Sequence, residues 1–276
     1  MDTRRSTYNF QKATLGEEAE WLRLREQALM GWEKEFRTLQ WFGLEDGMTV
    51  LEAGSGPGFV TEQLLERLPT IRLTSLDIDE TLLNKAKHRL SHIPEFKLAF
   101  KHASVYETGL PDNQFDFAVA RLLFLHLHDP VQAAMEMKRV LKPGGKLVII
   151  DLDDGIFGAI QPDLEALPSI LQKIAKLQAS KGGNRHIGRS LPRLLTESGF
   201  TDPDIEAVIQ HSDLHGIEGF KRQLDIDRFT VFYTNGIISK TEYEEMKQAC
   251  DRFAHSPEAH AMFVLLMACG TKPSHT

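Results

Sequence analysis

The stretch VLEAGSGPGF, residues 50–59, sets Gly54, Gly56 and Gly58 at alternate positions directly after a short apolar run that holds one carboxylate, Glu52. Glycines between a strand and a helix let a ligand approach the main chain and present helix N-terminal amides to it. The G-x-G-x-x-G pattern of nicotinamide and flavin binding is not met, because Phe59 stands at its third glycine position and Gly58 falls one residue early. Alternate glycines after an acid suit instead a ligand without a pyrophosphate, whose amino acid end lies across the loop. A second acid, Asp77, closes the next apolar run, and Asp79 is placed to cap the helix that follows, which leaves Asp77 for a ligand. His126 and His128 follow the fourth apolar run and supply imidazole, a candidate general base, while Asp151, Asp153 and Asp154 cluster after the fifth.

These groups need elements to hold them. From residue 46 to 154, short apolar runs (TVLEA, RLTSLDI, FKLAFKHAS, FDFAVA, KLVIIDL) alternate with helical stretches over 60–68, 80–91 and 130–142. Strands alternating with helices predict an α/β fold, a doubly wound and mostly parallel sheet covered on both faces. Right-handed crossovers line the strand carboxyl ends along one edge, where ligands of such folds bind. Residues 1–45 form a helical N-terminal cap, with Trp21, Leu24, Trp32, Phe36 and Leu39 near a helical period. Residues 155–185 and 214–255 are helical insertions, long enough to act as lids, separated by core residues 186–213 and followed by the last strand in 256–276. Gly182 and Gly183 are placed to hinge the first lid.

The chain has 276 residues, 42% hydrophobic and 26% charged, enough for one large domain with elaborations. A net charge of −7 without a dense Lys/Arg run argues against nucleic acid as a partner. Two cysteines, Cys250 and Cys269, make no disulfide framework or zinc site. No stretch reaches the roughly 18 apolar residues of a membrane span, and the N-terminus lacks an apolar leader, so a cytoplasmic protein is expected.

The glycine loop with Glu52, the acid at Asp77, FDFAVARLLFLHLHDP and above all RVLKPGGKLVIID resemble, in the same order, the motifs of class I, Rossmann-like S-adenosylmethionine-dependent methyltransferases of the small-molecule type. The resemblance covers residues 45–152 and implies a seven-stranded sheet with S-adenosylmethionine as cofactor. It implies that Glu52, Gly54, Ser55, Gly56 and Gly58 cradle that cofactor, that Asp77 accepts both ribose hydroxyls and that Ile78 packs on adenine. Ser104 stands where relatives keep an Asp for the adenine amino group, so Ser104 with Val105 is expected to take that role through its hydroxyl. At Arg121 the family's main chain binds the methionine amine. Catechol-type relatives that bind a metal need a further carboxylate after the fourth strand, where Ala120 and Arg121 stand, so no metal is expected.

His126 is the candidate catalytic base, and Tyr8, Asp153, His186, Phe229 and Tyr233 are candidates to line an acceptor pocket beside it. RLLF replaces the Asn/Asp-Pro-Pro-Phe/Tyr motif of DNA-base methylation, which favours a small-molecule acceptor with an O, N or C nucleophile. Two readings stay open: that enzyme, or a non-catalytic protein that binds S-adenosylmethionine or S-adenosylhomocysteine and uses its helical insertions as a partner surface. Self-association into a homo-oligomer also stays open.

Overall fold

The computed structural model describes Thr7 and residues 16–274. Two helices, α1 (Glu17–Leu29) and α2 (Trp32–Trp41), precede the alternating core: β1 (Thr49–Ala53), α3 (Phe59–Arg67), β2 (Arg72–Asp77), α4 (Glu80–Arg89), β3 (Leu98–His102), β4 (Phe115–Arg121), α5 (Pro130–Val140) and β5 (Leu141–Asp151). There follow β6 (Gly158–Gln161), α6 (Leu167–Ser180), α7 (Leu191–Glu197), β7 (Thr201–His211), α8 (Ser212–His215), α9 (Glu218–Gln223), α10 (Asp227–Thr234), α11 (Lys240–His255) and β8 (His260–Thr271). Strand order is β3-β2-β1-β4-β5-β8-β6, with β7 on the other edge of β8. Strands β1 to β5 are parallel, and β8 runs antiparallel to β5, β6 and β7.

Side chains alternate across the sheet as a two-residue period requires. Leu51, Ala53, Leu147 and Ile149 join the core under α5 and α7, while Val50, Val148 and Ile150 join the core under α2 and α3. Both faces are thereby covered. The structure differs from the seven-stranded expectation by one short strand. β8 outreaches β5 along one edge, pairing β5 over residues 266–271, and β6 satisfies the main chain left at 260–263. β6 falls in a stretch read from sequence as helical, because four residues carry too little periodicity to betray a strand.

The segments 155–185 and 214–255 share one apolar cluster. Ile170 and Ile174 of α6, Phe220 of α9, Phe229 of α10 and Phe253 of α11 pack together with Phe263 of β8. Gly182 and Gly183 sit close against the loop after β4: a Cβ at Gly182 would lie 2.8 Å from the His128 ring, and one at Gly183 2.7 Å from the Leu125 carbonyl. The two glycines serve close approach, which accounts for them without a hinge. No described helix is long and apolar enough to cross a membrane.

Candidate cofactor and acceptor site

The carboxyl ends of β1, β2, β4 and β5 meet along one edge, as the parallel order dictates. After β1 the chain turns through Gly54, Gly56 and Gly58 with φ of 72°, 53° and 76°, a region that penalises any Cβ. Their reasons differ. A Cβ at Gly54 would meet the Leu123 side chain at 3.1 Å and one at Gly58 would meet Ala86 at 3.0 Å, whereas Gly56 faces open space. Beside it Ser55 Oγ is buried with no hydrogen-bond partner among the described residues. A buried hydroxyl without a partner is costly, and next to bare main chain it fits a polar ligand.

Asp77 is 8% exposed and fixed from both sides: Gly56 N donates to Oδ2 at 2.7 Å and Asp79 N to Oδ1 at 2.8 Å. Burial raises its pKa, opposed by those two N–H groups. Each oxygen keeps a lone pair, so the carboxylate can still accept two ligand hydroxyls. Asp79 caps α4, accepting from Thr81 N and Leu82 N. Glu52 lies deeper, 4% exposed, and accepts from Thr61 Oγ1 at 2.6 Å, itself bonded to Ser75 Oγ at 3.0 Å. Burial pushes the Glu52 carboxyl up to about 8; the Thr61 bond opposes this and the Asp77 charge adds to it. Ile78 carries its carbonyl toward His102 Nε2 at 3.0 Å, Val105 is buried, and Ser104 Oγ already accepts from Tyr106 N at 3.3 Å.

Other candidate side chains are engaged by partners within the protein. The Arg121 side chain turns away from the edge: Nε and Nη2 donate to Glu35 at 2.7 and 3.0 Å, and Nη2 also to Gln27 O at 2.8 Å. Glu35 is fully buried, and Gln210 Nε2 donates to it at 3.2 Å, so only the main chain of Arg121 remains for a cofactor. The next residue, Leu122, has φ of 52°, strained for a leucine and absent from the sequence reading. Asp153 is buried and gripped by Arg189, with Gly155 N donating at 2.8 Å and His186 Nδ1 at 3.2 Å. Burial alone would raise its pKa, but Arg189, Gly155 and His186 hold it below the usual aspartate range. Asp153 and His186 therefore brace one another. Phe229 is buried in the helical cluster, and Tyr233 stacks on Tyr243 at 4.5 Å. Tyr8 lies outside the described residues.

His126 sits in a 3-10 turn, Phe124–His126, that Asp151 anchors by accepting from Leu125 N at 3.0 Å. Its Nδ1 shares a hydrogen bond with Thr7 Oγ1 at 2.8 Å, and its carbonyl accepts from Thr7 N at 3.0 Å. Burial, with the nearby charges of Arg185 and Arg23, pushes its pKa down to about 4. The ring is neutral at pH 7 but a weak base. Gln178 Nε2 and Asn184 N both donate to Leu125 O, at 2.7 and 2.8 Å, and so fasten the turn bearing Arg185 against His126.

Residues 51–149 match the methyltransferase domain family. The core of this chain, from β1 to β5, is a methyltransferase domain. Among curated relatives, the methyltransferase domain is similar to the ubiquinone/menaquinone biosynthesis C-methyltransferase UbiE of Enterobacter sp. (strain 638), 26% identical over 189 residues, 66% of this chain and 72% of that protein. The chain spans about half the length of the first curated relatives it matches. Among solved structures it resembles phosphoethanolamine N-methyltransferase 2 of Haemonchus contortus in complex with S-adenosyl-L-methionine, with 18% identity and a TM-score of 0.57 over 88% of this chain and 53% of that one. It also resembles the [4+2]-cyclase SpnF, with 20% identity and a TM-score of 0.53 over 83% of this chain and 77% of that one. At such identity the likeness concerns the fold, and the cyclase illustrates that a fold alone does not fix a reaction.

Proposed function

We propose that the protein transfers the methyl group of S-adenosylmethionine to an O, N or C nucleophile of a small molecule. The acceptor would lie between the sheet edge and the helical segments 155–185 and 214–255, which act as its lid in the cytoplasm. The observation that carries the reading is Asp77, pinned by Gly56 and Asp79 beside a glycine that faces open space. When bound, the cofactor supplies a methyl group on a sulfonium, ready for in-line displacement. The residues of this chain would do the rest. Asp77 accepts the ribose hydroxyls, Gly54, Ser55 and Gly56 offer main chain and a hydroxyl, Ile78, Ser104 and Val105 flank adenine, and the Arg121 main chain meets the methionine end. Glu52 braces the loop through Thr61.

Methyl transfer asks for position and exclusion of water more than for machinery. A base with a pKa of about 4 suits a nucleophile that is already ionised, or a neutral amine, better than an alcohol. Isothermal titration with S-adenosylhomocysteine, followed by labelled methyl transfer into a metabolite extract, tests the reading. No binding of S-adenosylhomocysteine would sink it. Binding without any labelled product would favour the second reading, cofactor binding without transfer, for which the weakness of His126 as a base is the supporting observation.

A further inference from the structure

Two arginines from distant parts of the chain, Arg23 of α1 and Arg185 after α6, act electrostatically on both His126 and a third arginine, Arg228 of α10. The scaffold explains the meeting: α1 packs on α9, whose Gly219 faces Glu26 and Met30, and the Leu125 carbonyl ties the turn bearing Arg185 to the His126 loop. Two of the guanidinium groups have carboxylates. Arg23 is held by Glu20 at 2.6 and 2.8 Å, and Arg185 by Asp154 at 2.9 Å through Nη2 and also through Nε.

Arg228 does not. Among the described residues its hydrogen bonds go to Gln223 alone, to the carbonyl and to Oε1 at 2.9 Å. Gln223 is 6% exposed, and its Nε2, on the same amide as the oxygen that Arg228 engages, has no hydrogen-bond partner. A part-buried guanidinium with no carboxylate bonded to it, beside a buried amide N–H₂ with no acceptor, both among the described residues, is a donor set that lacks its acceptor. Burial, then the neighbouring Arg23 and Arg185, lower the Arg228 pKa to about 9, with Glu20 and Asp225 opposing.

We infer that Arg228 and Gln223, backed by Arg23 and Arg185, form an oxyanion-recognition site, and that the methyl acceptor carries a carboxylate or phosphate group that seats there. A planar guanidinium and an amide present parallel donors that match such an anion. The inference rests on the methyl-transfer reading for the word acceptor, and on the donor set alone for the anion. A second source of the same chemistry is the carboxylate of the cofactor itself, and the experiment separates the two.

Inorganic phosphate and, separately, acetate are titrated into protein saturated with S-adenosylhomocysteine at constant ionic strength, with chloride as control and melting temperature as readout. At least one of the two anions should stabilise the wild type beyond chloride. In Arg228→Met the apparent Kd for that anion should rise tenfold or more, while the Kd for S-adenosylhomocysteine stays within twofold. Arg185→Gln, which leaves Arg228 in place, should weaken the anion several-fold and serves if Arg228→Met does not fold. The inference is overturned if neither anion exceeds chloride, if anion affinity is unchanged in the variants, or if Arg228→Met weakens S-adenosylhomocysteine tenfold, which would give the guanidinium to the cofactor carboxylate. A wild type that ignores S-adenosylhomocysteine yet binds an anion through Arg228 would remove the methyl-transfer reading and keep the anion site.

Discussion

The two sides of the sheet edge have opposite chemistry. On the glycine-loop side the buried ionisable groups are acids, Glu52 and Asp77, each answered within its neighbourhood by Thr61, Gly56 or Asp79. On the helical side three arginines, drawn from α1, α10 and the turn after α6, gather with the carboxylates of Glu20 and Asp154. An acidic wall takes hydroxyl donors and tolerates a cation, and a basic wall takes an anion. The difference also concerns construction: one wall forms from a single strand-loop-helix unit and its neighbouring strand, whereas the other exists only after four separated segments pack.

The joint between the walls is where the comparison breaks most easily. Glu35 of α2 is fully buried against Arg121 of β4, and removing one partner of a buried ion pair strands the other. Glu35→Ala is expected to cost about 3–5 kcal/mol in urea unfolding. A loss below about 1 kcal/mol would mean that water reaches Arg121 and that the cap is not bolted to the sheet. Next in size is Asp77→Ala, which removes the acceptor for two hydroxyls. It should weaken S-adenosylhomocysteine by about 2–4 kcal/mol, roughly 30- to 1000-fold in Kd. Calorimetry showing unchanged affinity in a folded variant would take Asp77 out of the site.

The acidic wall also has a signature in pH. Glu52 has its folded pKa raised from 4.5 to about 8, so the folded state holds a proton that the unfolded state releases. Its contribution is fully present below about 4.5 and is lost as pH rises through about 8. Asp151, raised from 3.8 to about 7 by burial against the Leu152 and Leu125 N–H groups, has the same sign over a lower window. Glu52→Gln keeps the shape and removes the titration. The stability of the variant relative to wild type should therefore improve by on the order of 2 kcal/mol between about pH 6.5 and pH 9. Parallel stability curves would show that Glu52 is ionised in the folded protein.

What could be read from the chain before folding follows the same divide. The glycine loop, the acid at the end of β2, the Asp79 cap, the alternation of strand and helix and α3 to α5 follow from local spacing, since each depends on residues a few positions apart. The partners that engage the side chains of Arg121, Asp153, Phe229 and Tyr233, namely Glu35, Arg189, the helical cluster and Tyr243, are supplied only by packing and leave no mark on local spacing. One signal was available. Glu35 falls on the apolar stripe of α2 between Trp32, Phe36 and Leu39, where a charge needs a buried partner. Nothing comparable marks Arg228, whose importance lies in what its neighbours lack.

The smallest expected effect tests the residue that stands between the walls. Thr7 Oγ1 meets His126 Nδ1 at 2.8 Å, and Thr7 N donates to the His126 carbonyl. The backbone bond survives Thr7→Ala and only the hydroxyl is lost, so the cost should be about 0.5–1.5 kcal/mol. Affinity for S-adenosylhomocysteine should stay within about twofold, a difference of roughly 0.4 kcal/mol. The more telling readout is the titration of the ring. Burial, then Arg185 and Arg23, depress the His126 pKa from 6.5 to about 4, so its contribution to stability is present above about 6.5 and is lost as pH falls toward 4. This sign is opposite to that of Glu52. Because burial and the arginines cause the shift, and Thr7 does not, the His126 proton resonances in Thr7→Ala should still titrate well below pH 6. A midpoint near 6.5 in the wild type would mean that the ring is hydrated and its base strength ordinary. That result would return His126 to the role of general base, and would take it out of the wall that Arg23, Arg185 and Arg228 make.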